Sequence, residues 1–174
     1  MEIEDMKDVF NRIAKTGALI VPPAYDDNIE KCNMDLRNIG LQGLPNEYAQ
    51  FLKMSNGLAW NGFEFFGTFG VRKKSTGYIL RDIVGFNENI EDMTGMKSNG
   101  CVLVLGRFDE DVYVYHYVEK EYRILDSLTF MIVEQFKDFN AFLLDTVAGY
   151  AYSMTGGEDE EDEEYEAPEP DGYV

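Results

Sequence analysis

Residues 44–67, LPNEYAQFLKMSNGLAWNGFEFFG, decide how the rest of the chain is read. Leu44 and Pro45 open a helix, because proline in a first helical turn gives up an N–H that has no intrahelical partner. Tyr48, Phe51 and Leu52 follow at i, i+3 and i+4, so they share one apolar stripe. Asn56-Gly57 supplies the stop, since both residues tolerate the left-handed conformation that ends helices. Leu58, Ala59 and Trp60, then Phe63, Phe65 and Phe66, form an aromatic-rich apolar run. It is split by Asn61-Gly62, the favoured pair for a two-residue hairpin turn. The expectation is a capped helix feeding straight into a hairpin, with these aromatics packed into a core.

Upstream, residues 3–16 carry a helical stripe of Ile3, Met6, Phe10, Ile13 and Ala14, stopped by Gly17. A short extended segment at 18–23 ends in Pro22-Pro23. Asp26, Asp27 and Asn28 offer capping oxygens to a second helix over about 28–39, whose buried face is Ile29, Cys32, Leu36 and Ile39. Downstream, residues 68–78 read as a polar loop holding the one basic cluster, Arg72, Lys73 and Lys74. Nothing glycine-rich prepares that loop for phosphate. Residues 79–91 read as a helix with Leu80, Ile83, Val84 and Phe86 inward, and 93–100 as a loop.

CVLVL at 101–105 is continuously apolar, as a strand buried on both faces would be. An acidic turn is expected at 106–111, a strand with alternating tyrosines at 112–118, a polar turn at 119–121 and a returning strand at 122–125. The connections are too short for crossovers, so these strands form an antiparallel meander. The pattern leaves 128–132 between strand and loop, and assigns 133–149 to a final helix with Phe136, Phe139, Leu143 and Val147 on its stripe. The fold class is therefore α+β: one domain with a mainly antiparallel sheet of about four to six strands, packed with N-terminal, middle and C-terminal helices.

The chain has 174 residues, enough for one domain that buries a sizeable core without staples. No apolar run reaches transmembrane length, and the acidic start MEIEDMKDVF lacks the basic and apolar regions of a secretion signal. Cys32 and Cys101 lie far apart, which suits reduced thiols in a cytoplasmic protein. The boundary is expected near 155: residues 1–155 form the domain, and 156–174 form an acidic tail for which disorder is the default. Ten of the 33 acids lie at 158–174; the other 23 face 15 bases, leaving −8 of the full −18. That charge argues against nucleic acid and anionic membranes as partners and favours a basic protein.

Asp109, Glu110 and Asp111 follow the apolar strand, where catalytic carboxylates often emerge. The Asp-x-Asp spacing resembles phosphotransferases of the haloacid-dehalogenase type, but Tyr113 stands where they need Thr or Val. The spacing is not an EF-hand loop either. The readings are a solvated turn, an acid patch for a partner, or, remotely, a metal-dependent hydrolase site. His116 is the only histidine and has no partner motif for nucleophilic catalysis. With two separated cysteines it cannot supply four zinc ligands. No catalytic residue, metal or cofactor is assigned. Tyr113, Tyr115 and Tyr117, with Tyr122, share one strand face; either they join Asp109, Glu110 and Asp111 as an anchor for a basic protein, or helices cover them.

Leu44, Pro45, Tyr48, Phe51, Leu52, Asn56 and Gly57 occur in the order of the opening motif of the SUKH superfamily, the Smi/Knr-like proteins, which this chain resembles over most of residues 1–150. Trp60, Phe66 and Gly67 are similar to its YrhA-like branch. The resemblance implies that these are structural positions, and that the chain is a bacterial immunity protein of a polymorphic toxin system. Such proteins bind and block a toxin domain, often a nuclease. A regulatory scaffold with cellular partners, as the fungal relatives suggest, is the alternative.

Overall fold

The structure, a computed structural model, describes residues 3–97, 99–149 and 151. Its strands are β1 (Leu19–Ile20), β2 (Leu58–Trp60), β3 (Phe63–Phe65), β4 (Val71–Arg72), β5 (Ile79–Leu80), β6 (Val102–Phe108), β7 (Asp111–His116), β8 (Glu121–Asp126) and β9 (Ile132–Phe136). Its helices are α1 (Ile3–Lys15), α2 (Asp26–Asn38), α3 (Asn46–Leu52), α4 (Ile83–Glu88), α5 (Ile90–Thr94) and α6 (Phe139–Leu143), which runs into a π-helical turn (Leu144–Ala148). Seven strands pair antiparallel in the order β1-β2-β3-β6-β7-β8-β9, and β4 pairs β5 in a separate ribbon. The α+β class and the antiparallel sheet hold; the main sheet has seven strands against an expected four to six.

The extra strand is β9, in residues whose spacing predicts the start of the final helix. The stripe from Phe139 onward is helical, but the helix starts only where the Asp138 carboxylate accepts from the Ala141 N–H at 2.8 Å. Before that cap, β-branched Ile132 and Val133 extend along β8. Residues 68–78 are not wholly loop either, because Val71–Arg72 and Ile79–Leu80 form the ribbon, and the 79–91 helix begins only at Ile83. The predicted turn at Gly106 is strand. Gly106 is needed for close approach: a Cβ there would lie 2.0 Å from the Glu64 carbonyl oxygen on β3. The two-residue turn falls at Asp109 and Glu110, with Asp109 at φ +47°.

Within residues 44–67 the hairpin stands as read, with Asn61 at φ +46° and Gly62 at +85°, the primed geometry that matches strand twist. The helix limits move. Pro45 keeps an extended ψ of 145° just ahead of α3, which ends at Leu52, well before Asn56-Gly57. Asn56 and Gly57 serve a chain crossing instead. The Asn56 amide accepts from the Thr68 N–H (2.8 Å) and donates to the Thr68 hydroxyl (2.9 Å). A Cβ on Gly67 would sit 2.2 Å from the Asn56 carbonyl oxygen, so only glycine fits.

The core is largely aromatic. Phe65 of β3 and Tyr113 of β7 stack at 5.4 Å, and Phe142 of α6 meets Tyr113 and Tyr122 at 5.5 Å each. Tyr48 of α3 packs on Phe51 at 5.5 Å, and its hydroxyl donates to the carbonyls of Phe66 (2.7 Å) and Leu105 (3.1 Å). Leu44 is half-buried, whereas Pro45, Tyr48, Phe51, Leu52, Asn56, Gly57, Trp60 and Gly67 are buried. Among the described residues no helix is long and apolar enough to cross a membrane.

Candidate interaction surface

The acidic turn lies at one end of the sheet. Asp109 and Glu110 are exposed, and Asp111 is half-buried opposite Asp126 across the β7–β8 ladder. Burial raises the Asp111 carboxyl above its ordinary value, with Asp126, Asp109 and Glu110 adding in that order. The Asp126 carboxyl is held below its ordinary value by bonds from the Thr129 N–H (2.7 Å), the Thr129 hydroxyl (2.9 Å) and the Leu128 N–H (3.0 Å). The Glu110 carbonyl accepts from the Ser127 N–H at 2.8 Å, which ties this turn to the β8–β9 connection. The structure thus brings Asp109, Glu110 and Asp111 together and adds Asp126. Among the described residues no three His, Cys, Asp or Glu side chains are placed to hold a metal ion.

The tyrosine row is not an exposed anchor. Tyr113 is 2 % exposed, Tyr117 8 % and Tyr122 1 %, and Tyr115 is half-buried. Of the two readings, helices cover the face. The Tyr122 hydroxyl donates to Glu47 of α3 at 3.0 Å, and that of Tyr117 to the Gly43 carbonyl at 2.7 Å. Burial, ahead of any nearby charge, raises the pKa of Tyr113, Tyr115, Tyr117 and Tyr122, so these rings stay protonated. Tyr113 and Tyr117 are removed from the candidate contact residues for that reason, and Tyr115 leans inward against Tyr122 at 5.0 Å.

Beside the acidic turn lies a surface that the sequence pattern hid inside a helix. Among the described strands β9 borders the sheet and pairs only with β8. Ile132 and Val133 are 46 % and 59 % exposed, and the turn leading into them exposes Leu128 (80 %) and Met131 (69 %). Glu134 stands against Asp145 of the π-helical turn; burial and then this like charge push the Glu134 carboxyl above its ordinary value. Period-two alternation over 132–135 is too short to separate a strand from a helix by sequence.

Other ionisable groups belong to the frame. Glu64 is buried and paired to Arg107 through its Oε2. Glu121 at the start of β8 accepts from Arg123 (2.6 Å) and Lys137 (2.8 Å). Nδ1 of His116 accepts from the Glu119 N–H at 3.2 Å. In the basic cluster, the Lys73 ammonium donates to the Gly17 carbonyl beside a cavity of about 280 Å³ lined in part by Trp60 and Tyr78. Cys32 and Cys101 are free thiols; burial pushes Cys32 up to about 12, while Cys101 is half-buried.

No protein-family model matches the sequence, and a search of curated proteins returns no match.

Proposed function

We propose that this chain is a non-catalytic protein-binding module of the SUKH kind, an immunity protein that binds and neutralises a basic bacterial toxin domain in the cytoplasm. One observation carries the reading: exposed apolar side chains at Leu128, Met131, Ile132 and Val133 lie beside Asp109, Glu110, Asp111, Asp126 and Glu134. An apolar patch with a charged rim suits a polypeptide partner. The excess of acid over base makes that partner basic, as nuclease domains are, and accelerates encounter.

The test takes any toxin domain encoded in the genes neighbouring that of this chain and purifies it. The expected result is tight binding, inhibition of the toxin, and an association rate that falls about tenfold or more from low to high salt. Absence of binding, or an association rate indifferent to salt, refutes the reading. Binding to a cellular protein while the toxin domain is ignored would support the regulatory scaffold instead.

A further inference from the structure

Resting on that reading, we propose that β9 is the docking edge: an extended, alternately basic and apolar segment of the toxin adds to the sheet as a further strand beside Ile132–Phe136.

The backbone makes the site. Among the described residues β9 has β8 on one side and no strand on the other, so alternate N–H and C=O groups face outward with no ladder partner among those residues. Four of its five residues are exposed. Natural proteins blunt such edges with proline, charge or great shortness. β9 has no proline, and its flanking Lys137 is held by Glu121 and by the Glu119 carbonyl at 3.1 Å. One irregularity is present. The register with β8 skips Val133, so Ile132 and Val133 both stand out at a bulge. A bulge narrows the range of strands that can pair, which makes the edge selective rather than closed.

Side chains choose the occupant. Phe136 meets Phe142 at 5.7 Å, so Phe136 and, by alternation, Glu134 face α6 and the π-helical turn. There the Asp145 carboxylate lies close enough to Glu134 to add its like charge to the effect of burial. A lysine or arginine from an added strand would relieve that repulsion, while an apolar neighbour would cover Val133 and Ile132. Charge disfavours the other candidates. A second copy would bring two acidic edges together, and the chain's own end at 158–174 holds ten acids and no base.

The probe is a short synthetic peptide of alternating lysine and valine, blocked at both ends, added to the full chain. Binding is followed by amide NMR and hydrogen exchange. Exchange at alternate residues of 132–136 should slow by about tenfold or more. A peptide methylated on alternate backbone nitrogens, which keeps every side chain but loses the ladder, should bind at least about tenfold more weakly. Val133→Lys should weaken the unmethylated peptide by a similar factor without altering the rest of the spectrum. Equal binding of both peptides, or perturbation confined to 109–111, overturns the docking edge. If the toxin domain still binds with strong salt dependence, the proposed function survives that failure. A dimer of the free chain that Val133→Lys abolishes also overturns it, because β9 would then be occupied by a second copy.

Discussion

The two borders of the sheet are built in opposite ways. β1 has two residues, both half-buried, and the chain leaves it for Pro22-Pro23. The Pro22 carbonyl accepts from the Asn56 N–H, and the Val21 N–H donates to the Gly57 carbonyl, both at 3.2 Å. Those two bonds continue the pairing with β2, while shortness and the following prolines limit what could add to the outer side of that border. β9 has five residues, four of them exposed, and no covering element among those described. One border is finished as structure, and the other retains hydrogen-bonding capacity beside apolar side chains. A protein that guards one edge so thoroughly has the means to guard both, which marks the open edge as the place to look for function.

Substitutions that break the sealed half should cost most. Gly67→Ala places a methyl group 2.2 Å from a backbone oxygen, so about 3 kcal/mol or more of stability should be lost in urea melts. Survival of a wild-type midpoint would show that the crossing of residues 56 and 67 is looser than drawn. Asn87 comes next. β3 stops at Phe65, and beyond it the Asn87 side chain takes the place of a strand, accepting from the Val104 N–H (2.8 Å) and donating to its carbonyl (2.9 Å). Asn87→Ala leaves both groups buried and unpaired, at a cost of about 2 to 3 kcal/mol.

Toward the open border the effects shrink. Hydrogen bonds from Lys137 and then Arg123 hold the Glu121 carboxyl below its ordinary 4.5. A lowered acid stabilises the fold above its unfolded value and loses that contribution as pH falls through the folded one. The urea midpoint should therefore drop on acidification below that value of 4.5, and drop less in Glu121→Gln. Equal slopes would remove Glu121 from the account of how β9 is held to β8. On β9 itself, Val133→Lys should change stability by no more than about 0.5 kcal/mol. Glu134 has the opposite sign, since its carboxyl is raised and its charged form is disfavoured in the fold. Glu134→Gln should slightly stabilise the free chain at neutral pH, with the gain vanishing at acid pH where both acids are protonated. A large loss from either change would mean that β9 is framework and not free edge.

The sequence made the hairpin at Asn61-Gly62, the β6–β7–β8 meander and the helical stripes legible, because each rests on local periodicity or turn chemistry. What it hid depends on strand order. Phe136, Phe139, Leu143 and Val147 keep helical spacing straight through the Asp138 cap, so the pattern alone cannot separate β9 from the helix. β4 and β5, at two residues each, are too short for alternation to register. Alternation places the tyrosines on one face, but whether that face meets water or α6 is a tertiary fact. Asn87 carried no signal, since a side-chain amide completing a strand has no sequence period. The acidic turn could be read; its junction with an apolar edge could not. The tail at 156–174 lies outside the described residues.

Strand connectivity also sets an order of events in time. β6, β7, β8 and β9 follow one another through tight turns, whereas β1 must find β2 across residues 21–57, and β3 must find β6 across 66–101. Closing long loops costs more entropy than closing short ones, so the meander should assemble first and the β1 seam last. Pulsed hydrogen exchange during refolding should therefore protect 102–136 before Leu19 and Ile20. Until the seam closes, the nascent chain is sticky at two borders instead of one, and its heavy negative charge is what keeps such intermediates apart.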